Sequence, residues 1–124
     1  RIADRCRKIC ARYQHAFADL ESRGVVQLPV CPDHCQPNHH MFYIVLPDRS
    51  TRDGLIQHLA SHHIRAAFHY VPLHSSPMGT LCGYQRGDLP VTDDLSDRLL
   101  RLPVYYDLTP DEQDRIVAAV RKSF

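Results

Sequence analysis

A chain of 124 residues with 44% hydrophobic and 23% charged side chains has the size and composition of one globular domain with a single core. Fifteen basic residues against fourteen acidic give a formal charge of +1, so no bulk field draws it to nucleic acid or to an anionic membrane. No apolar run approaches the roughly 18 residues of a membrane span, and no signal peptide is visible. An odd set of five cysteines argues against a complete disulfide framework and for free thiols, as expected of a cytoplasmic protein. The sequence starts at Arg1 without an initiator methionine, and the expectation is that residues 1–124 are one domain of a longer protein. Nine histidines are many for this length, and thirteen arginines accompany only Lys8 and Lys122.

Taken in chain order, Ile2 to Arg23 reads as a helix, because Ile2, Cys6, Ile9, Cys10, Tyr13, Phe17 and Leu20 recur at steps of three and four. Cys6 and Cys10 lie on that stripe and are expected to pack as small hydrophobes. Gly24 follows as a C-terminal cap. Val25 to Val30 reads as a short strand and Cys31 to Asn38 as a loop. His40 to Leu46 reads as a central strand stopped by Pro47, and Ser50 or Thr51 as the cap of a helix running to about His62. Leu55, Ile56 and Leu59 are that helix's inward residues. Ile64 to Tyr70 is a further strand, ended by Pro72. Leu73 to Pro90, punctuated by Pro77, Gly79, Gly83 and Gly87, is predicted to be a long ordered loop with one helical turn. A helix then opens at Val91 or Thr92 with Leu95, Leu99 and Leu100 buried, and Leu102 to Tyr105 is a short strand. Thr109-Pro110-Asp111-Glu112 is a capping box with proline at the first helical position, heading a last helix on Ile116, Val117 and Val120 to about Lys122. Too few crossovers exist for a doubly wound sheet. The fold class is α/β of the α+β type: a small antiparallel or mixed sheet with helices packed on one face.

Three clusters carry chemistry. Cys31-Pro-Asp-His34-Cys35 could contribute thiolates and an imidazole to zinc, but no second cysteine pair completes a tetrahedral set, and a loop with incidental thiols is the plainer reading. Phe68-His69-Tyr70-Val71-Pro72-Leu73-His74 ends a strand in polar aromatic groups, placing His69, Tyr70 and His74 where they can bond hydroxyls, carboxylates or phosphates. Asn38 and His40 stand at the entrance of the neighbouring strand. Glycine-rich nucleotide motifs, a P-loop and a nucleophile elbow are absent, and neither lysine sits where a desolvated Schiff-base amine is expected. No self-contained catalytic set is present, so this chain alone is expected to be inactive.

The runs Cys35-Gln36-Pro37-Asn38-His39-His40-Met41-Phe42-Tyr43, Ala67-Phe68-His69-Tyr70-Val71-Pro72-Leu73-His74 and Arg98-Leu99-Leu100-Arg101-Leu102-Pro103-Val104-Tyr105 occur in this order along the chain. They resemble the C-terminal part of the DegT/DnrJ/EryC1/StrS sugar-nucleotide aminotransferases, and within that family the transaminases of the enterobacterial-common-antigen type. The resemblance implies the C-terminal small domain of a fold type I enzyme dependent on pyridoxal phosphate, with Arg1–Gly24 as its leading helix and Val25–Phe124 as its body. It implies transfer of the amino group of L-glutamate to C4 of a dTDP-4-keto-6-deoxyhexose, in a homodimer. It also implies that the Schiff-base lysine belongs to a larger N-terminal domain not included in this sequence, so no cofactor, metal or catalytic residue is expected here. Carried over by position, His69, Tyr70 and His74 would line the substrate cleft, with Asn38 and His40 as the next candidates. The competing reading is a free-standing ligand- or zinc-binding module built on the histidines and cysteines.

Overall fold

A computed structural model describes all of residues 1–124. The elements are α1 (Ile2–Ser22), β1 (Phe42–Val45), α2 (Arg49–Ser61), β2 (Ala67–Phe68), a 3-10 turn at Leu73–Ser75, α3 (Pro77–Leu81), α4 (Pro90–Arg98), β3 (Leu99–Leu102) and α5 (Pro110–Arg121). The three strands form one antiparallel sheet in the order β1-β3-β2, with Ile44 opposite Leu100 and Phe68 on the other side of Leu100. Phe42, Ile44, Leu100 and Leu102 point into a core closed by α1, α2 and α5. Strand alternation therefore puts Tyr43 and Arg101 on the face that the helices leave open. This is the predicted class, one small sheet with helices packed on one face. No helix is long and apolar enough to cross a membrane.

Several predicted boundaries move, each for a local reason. The middle strand is β3, whereas the His40–Leu46 run yields β1 at one side of the sheet. Val25 to Val30 makes only a single bridge, Gln27 to Val45, because Glu21 Oε1 takes the Leu28 N–H and Pro29 offers none. Ile64 to Tyr70 shortens to Ala67–Phe68, since the Ile64 N–H closes the end of α2 on the Leu59 carbonyl. The cap of α2 is Asp48, whose carboxylate accepts the Thr51 N–H at 2.8 Å, not Ser50 or Thr51. The expected burial of Leu95, Leu99 and Leu100 on one helix fails: α4 stops at Arg98, and Leu99 and Leu100 open β3. The buried residue of α4 is Asp93, and Leu95 is exposed. The strand expected at Leu102–Tyr105 ends at Leu102, because Pro103 has no N–H for the ladder. The capping box at Thr109 and Glu112 forms as predicted, and α5 ends at Arg121.

The predicted stripe on α1, apart from Ile2, which is exposed at the helix start, is the floor of the core. Cys6, Ile9, Cys10, Tyr13, Phe17 and Leu20 are all buried. Tyr13 is wholly enclosed, with ring centroids 5.9 Å from Phe17 and 5.1 Å from Phe42. Its hydroxyl donates to the Pro103 carbonyl at 3.0 Å, and burial pushes the phenol's pKa well up, so it stays neutral. Tyr13→Phe keeps the ring and strands that carbonyl, and a loss of about 1 kcal/mol is expected. The check is a urea melt whose midpoint falls while its slope is unchanged; an unchanged midpoint would mean that the bond contributes nothing. Gln113, buried on α5, donates to the Ile9 carbonyl at 2.8 Å, and Arg12 reaches Asp114 at 2.7 Å, so the first and last helices are bonded side by side.

Candidate functional site

The open face of the sheet collects polar groups from three segments. Tyr43 and Ala67 flank Arg101 in the strand register. Beyond β2 the chain presents His69 and Tyr70, joined by a cis peptide bond, with ring centroids 3.8 Å apart edge to face. Arg101 Nη1 donates to Tyr70 Oη at 3.0 Å, which leaves the phenolic proton free to be donated elsewhere. The His69 imidazole has its pKa lowered, first by partial burial and then by the charges of Arg101 and His40. Lowering from the ordinary value makes His69 neutral at pH 7, with one ring nitrogen that donates and one that accepts. His40 stands at the entrance of β1, where the Asn38 side-chain oxygen takes its backbone N–H at 3.3 Å and bonds its ring Nδ1.

Three of the five predicted site residues, His40, His69 and Tyr70, lie by Arg101 or by its immediate neighbours, and Asn38 joins them only through its bonds to His40. His74 does not. It is buried, and its Nε2 lies 3.1 Å from Asp93 Oδ1, a carboxylate that also accepts the Gly87 N–H at 2.7 Å. The ring is thus consumed in fastening the 73–90 segment to α4. The outer side of that segment is apolar, with Leu73, Met78 and Leu81 strongly exposed. Arg101 and Asp93 escaped the sequence reading. The only signal for Arg101 was its alternation against Leu100 and Leu102, and that signal required knowing that Leu99–Leu102 is a strand.

A second hollow of about 660 Å3 lies between α1 and residues 29–43, lined by Arg7, Cys10, Gln14, Cys31, Asn38 and His40 among others. Cys10 closes its inner end, its thiol donating to the carbonyls of His39 and Met41, each at 3.7 Å. Burial, with a smaller contribution from Cys6, pushes this thiol up to about 11, so it is inert at neutral pH. Cys31 and Cys35 are exposed, and no three His, Cys, Asp or Glu side chains converge anywhere in the chain. The zinc reading of Cys31, His34 and Cys35 has no donor set in this geometry. Lys8 lies on the outer face of α1 and Lys122 just beyond α5, both exposed, so neither reaches the open face of the sheet.

The profile of the DegT/DnrJ/EryC1/StrS aminotransferase family matches residues 1–121. The chain belongs to this family. Among curated relatives, the dTDP-3-amino-3,4,6-trideoxy-alpha-D-glucose transaminase of Micromonospora megalomicea is 34% identical over 118 residues, covering 94% of this chain and 31% of the relative. Among solved structures, DesV of S. venezuelae, in complex with a ketimine intermediate, superposes with a TM-score of 0.87 at 30% identity, over 98% of this chain and 31% of its own. The sugar aminotransferase Spr1654 of Streptococcus pneumoniae in its PMP form gives a TM-score of 0.89 at 20% identity, a likeness of fold alone. The chain thus spans about 31% of the relatives it matches. In this aminotransferase family the cofactor is pyridoxal phosphate or its amine form, and the residues of this chain do not fit its covalent anchorage, because no lysine faces the site.

Proposed function

We propose that this chain is the C-terminal small domain of a sugar-nucleotide transaminase. In the whole protein the amino group of L-glutamate would pass to C4 of a dTDP-4-keto-6-deoxyhexose, as a step toward a surface polysaccharide. The open sheet face is one wall of the substrate cleft, in a homodimer whose lysine-bearing domain lies outside this sequence. Pyridoxal phosphate, when bound there, supplies the electron sink for amino transfer. The observation that carries the reading is the joining of Tyr70 to Arg101 at the open face of the sheet, with His69 within electrostatic reach of both Arg101 and His40, in a chain of this family.

These residues bind and orient. Neutral His69 can accept from one sugar hydroxyl and donate to another oxygen. Tyr70, held by Arg101, directs its proton outward, and His40 is fixed in direction by Asn38. His74 acts from behind, through Asp93, by fixing the segment that follows Tyr70. Fixed donors of this kind position a reactant and exclude water, and they take no part in bond making. The apolar outer side of Leu73, Met78 and Leu81 suits burial against the rest of the enzyme.

The test uses the full-length protein with dTDP-4-keto-6-deoxyglucose and L-glutamate, followed by 2-oxoglutarate release. His69→Ala is expected to lower kcat/KM for the keto sugar by roughly ten- to a hundredfold while the visible absorbance of the bound cofactor is unchanged. Unchanged kinetics would remove His69 from the cleft. Transfer to C3, the position in the name of the Micromonospora relative, would overturn the C4 assignment.

A further inference from the structure

At the end of the sheet, β2, β3 and the first turns of α5 enclose a cleft of about 520 Å3. Its polar lining is cationic: Arg65 from the approach to β2, Arg101 from β3 and Arg115 from α5, with His63 at the rim. Seven other arginines are paired with carboxylates, as Arg12 is with Asp114, Arg98 with Asp94 and Arg121 with Asp19. Arg65, Arg101 and Arg115 form no salt bridge, and the one bond among them is that from Arg101 to the neutral Tyr70 hydroxyl. The single carboxylate lining the cleft, Glu112, is engaged through Oε2 with the backbone N–H and the hydroxyl of Thr109 in the cap of α5. Ile64, Leu102, Val104 and Ile116 supply an apolar floor, which strengthens the field above it.

Three arginines against one glutamate leave the lining of this cleft with two positive charges in excess. A single carboxylate ligand would leave that cleft half compensated. A diphosphate bridge esterified at both ends carries two negative charges at neutral pH, and arginine's planar fork suits phosphate oxygens better than any other side chain. We infer that Arg65, Arg101 and Arg115 form an anion site for the diphosphate of a nucleotide-linked substrate. The identity of the nucleotide sugar rests on the function proposed above. The charge argument does not. Arg101 is common to the cleft and to the Tyr70 contact, so a diphosphate held there delivers the attached sugar toward Tyr70 and His69. The excess of arginine over lysine in this chain, unexplained by the fold, has a use at this point.

The experiment titrates the full-length protein calorimetrically with inorganic pyrophosphate and, separately, with dTDP. Wild type is compared with Arg65→Ala, Arg115→Ala and the double variant. Both side chains are exposed, and a melting curve for each variant confirms that its fold is intact. Each single change is expected to weaken both probes by roughly tenfold, and the double change by more, with a shallower dependence on salt. Affinities within twofold of wild type in the double variant would overturn the site. If the variants lose pyrophosphate but the wild type does not aminate the keto sugar, the anion site stands and the transaminase reading falls. If amination proceeds and the affinities do not change, the reading stands and the anion site falls.

Discussion

Gly79→Ala is expected to destabilise the fold by about 3 kcal/mol and to lower its melting temperature by roughly 10 °C. At Gly79, α3 crosses the 3-10 turn that precedes it, and a Cβ at this position would overlap the carbonyl oxygens of Leu73 and His74. Those are backbone atoms and cannot swing aside as a side chain would. His74 is itself anchored to Asp93, so relief requires moving α3 or releasing the anchor. Gly54, on the outer face of α2, has nothing near its missing Cβ. There the same substitution removes a flexible residue from a helix interior and is expected to stabilise by about 0.5–1 kcal/mol. Thermal melts of the two variants should therefore move in opposite directions. A Gly79→Ala protein that melts with wild type would show that the crossing has room to spare. On the function proposed above, the same variant of the full-length protein should raise the KM for the keto sugar, because the displaced segment begins three residues after Tyr70.

Asp93→Asn is expected to loosen the same segment from its other side. The Asp93 carboxylate is held below the usual range, first by the Gly87 N–H, then by its bond to His74 and the nearby charge of Arg86. A carboxyl whose folded pKa is lowered contributes stability that is fully present above its unfolded value, about 3.9, and that is lost as the pH falls toward the folded value. The stability gap between wild type and Asp93→Asn should thus be widest at pH 7 and should narrow progressively as the pH falls below about 5, through the unfolded value and on toward the lower folded one. Other depressed carboxyls, such as those of Asp19 and Glu112, titrate in both proteins and cancel in the difference. Limited proteolysis within residues 73–90 should quicken by on the order of tenfold at neutral pH, since cleavage follows local opening. Asp94→Asn, which breaks only an exposed pair with Arg98, is the control and should change little. A gap that is constant with pH would mean that Asp93 is not held as an anion by these partners.

How far the sequence spoke for itself depended on whether a signal was local. The stripe on α1 and the Thr109–Glu112 box are local, and both formed where they were expected. The passage from α4 into β3 was not legible. Leu95 and Leu99 keep helical spacing, and only pairing with Phe42–Val45 and Ala67–Phe68 draws Leu99 and Leu100 into the sheet. Arg101 was hidden for that reason, since a residue's face cannot be read until its element is known. The opposite happened at His74. A histidine two residues beyond Val71-Pro72 looks like a ligand contact, but its partner Asp93 lies 19 residues away on another helix, and no pattern links them. The expectation for His69, Tyr70, Asn38 and His40 rests on a local rule, that strand ends are where polar side chains leave a core.

The pairing of the first helix with the last has a consequence during synthesis. The carbonyl that Tyr13 bonds lies 90 residues downstream, and the glutamine that reaches Ile9 lies 104 residues downstream. At about 5–20 residues per second, the ribosome needs on the order of ten seconds to deliver those partners. In that interval Tyr13 and Phe17 meet Phe42 early, but α5 is still missing from the core. Within this segment the apolar face of α1 therefore emerges well before the last of the partners that bond it. Chaperones acting on this protein have their natural target in α1.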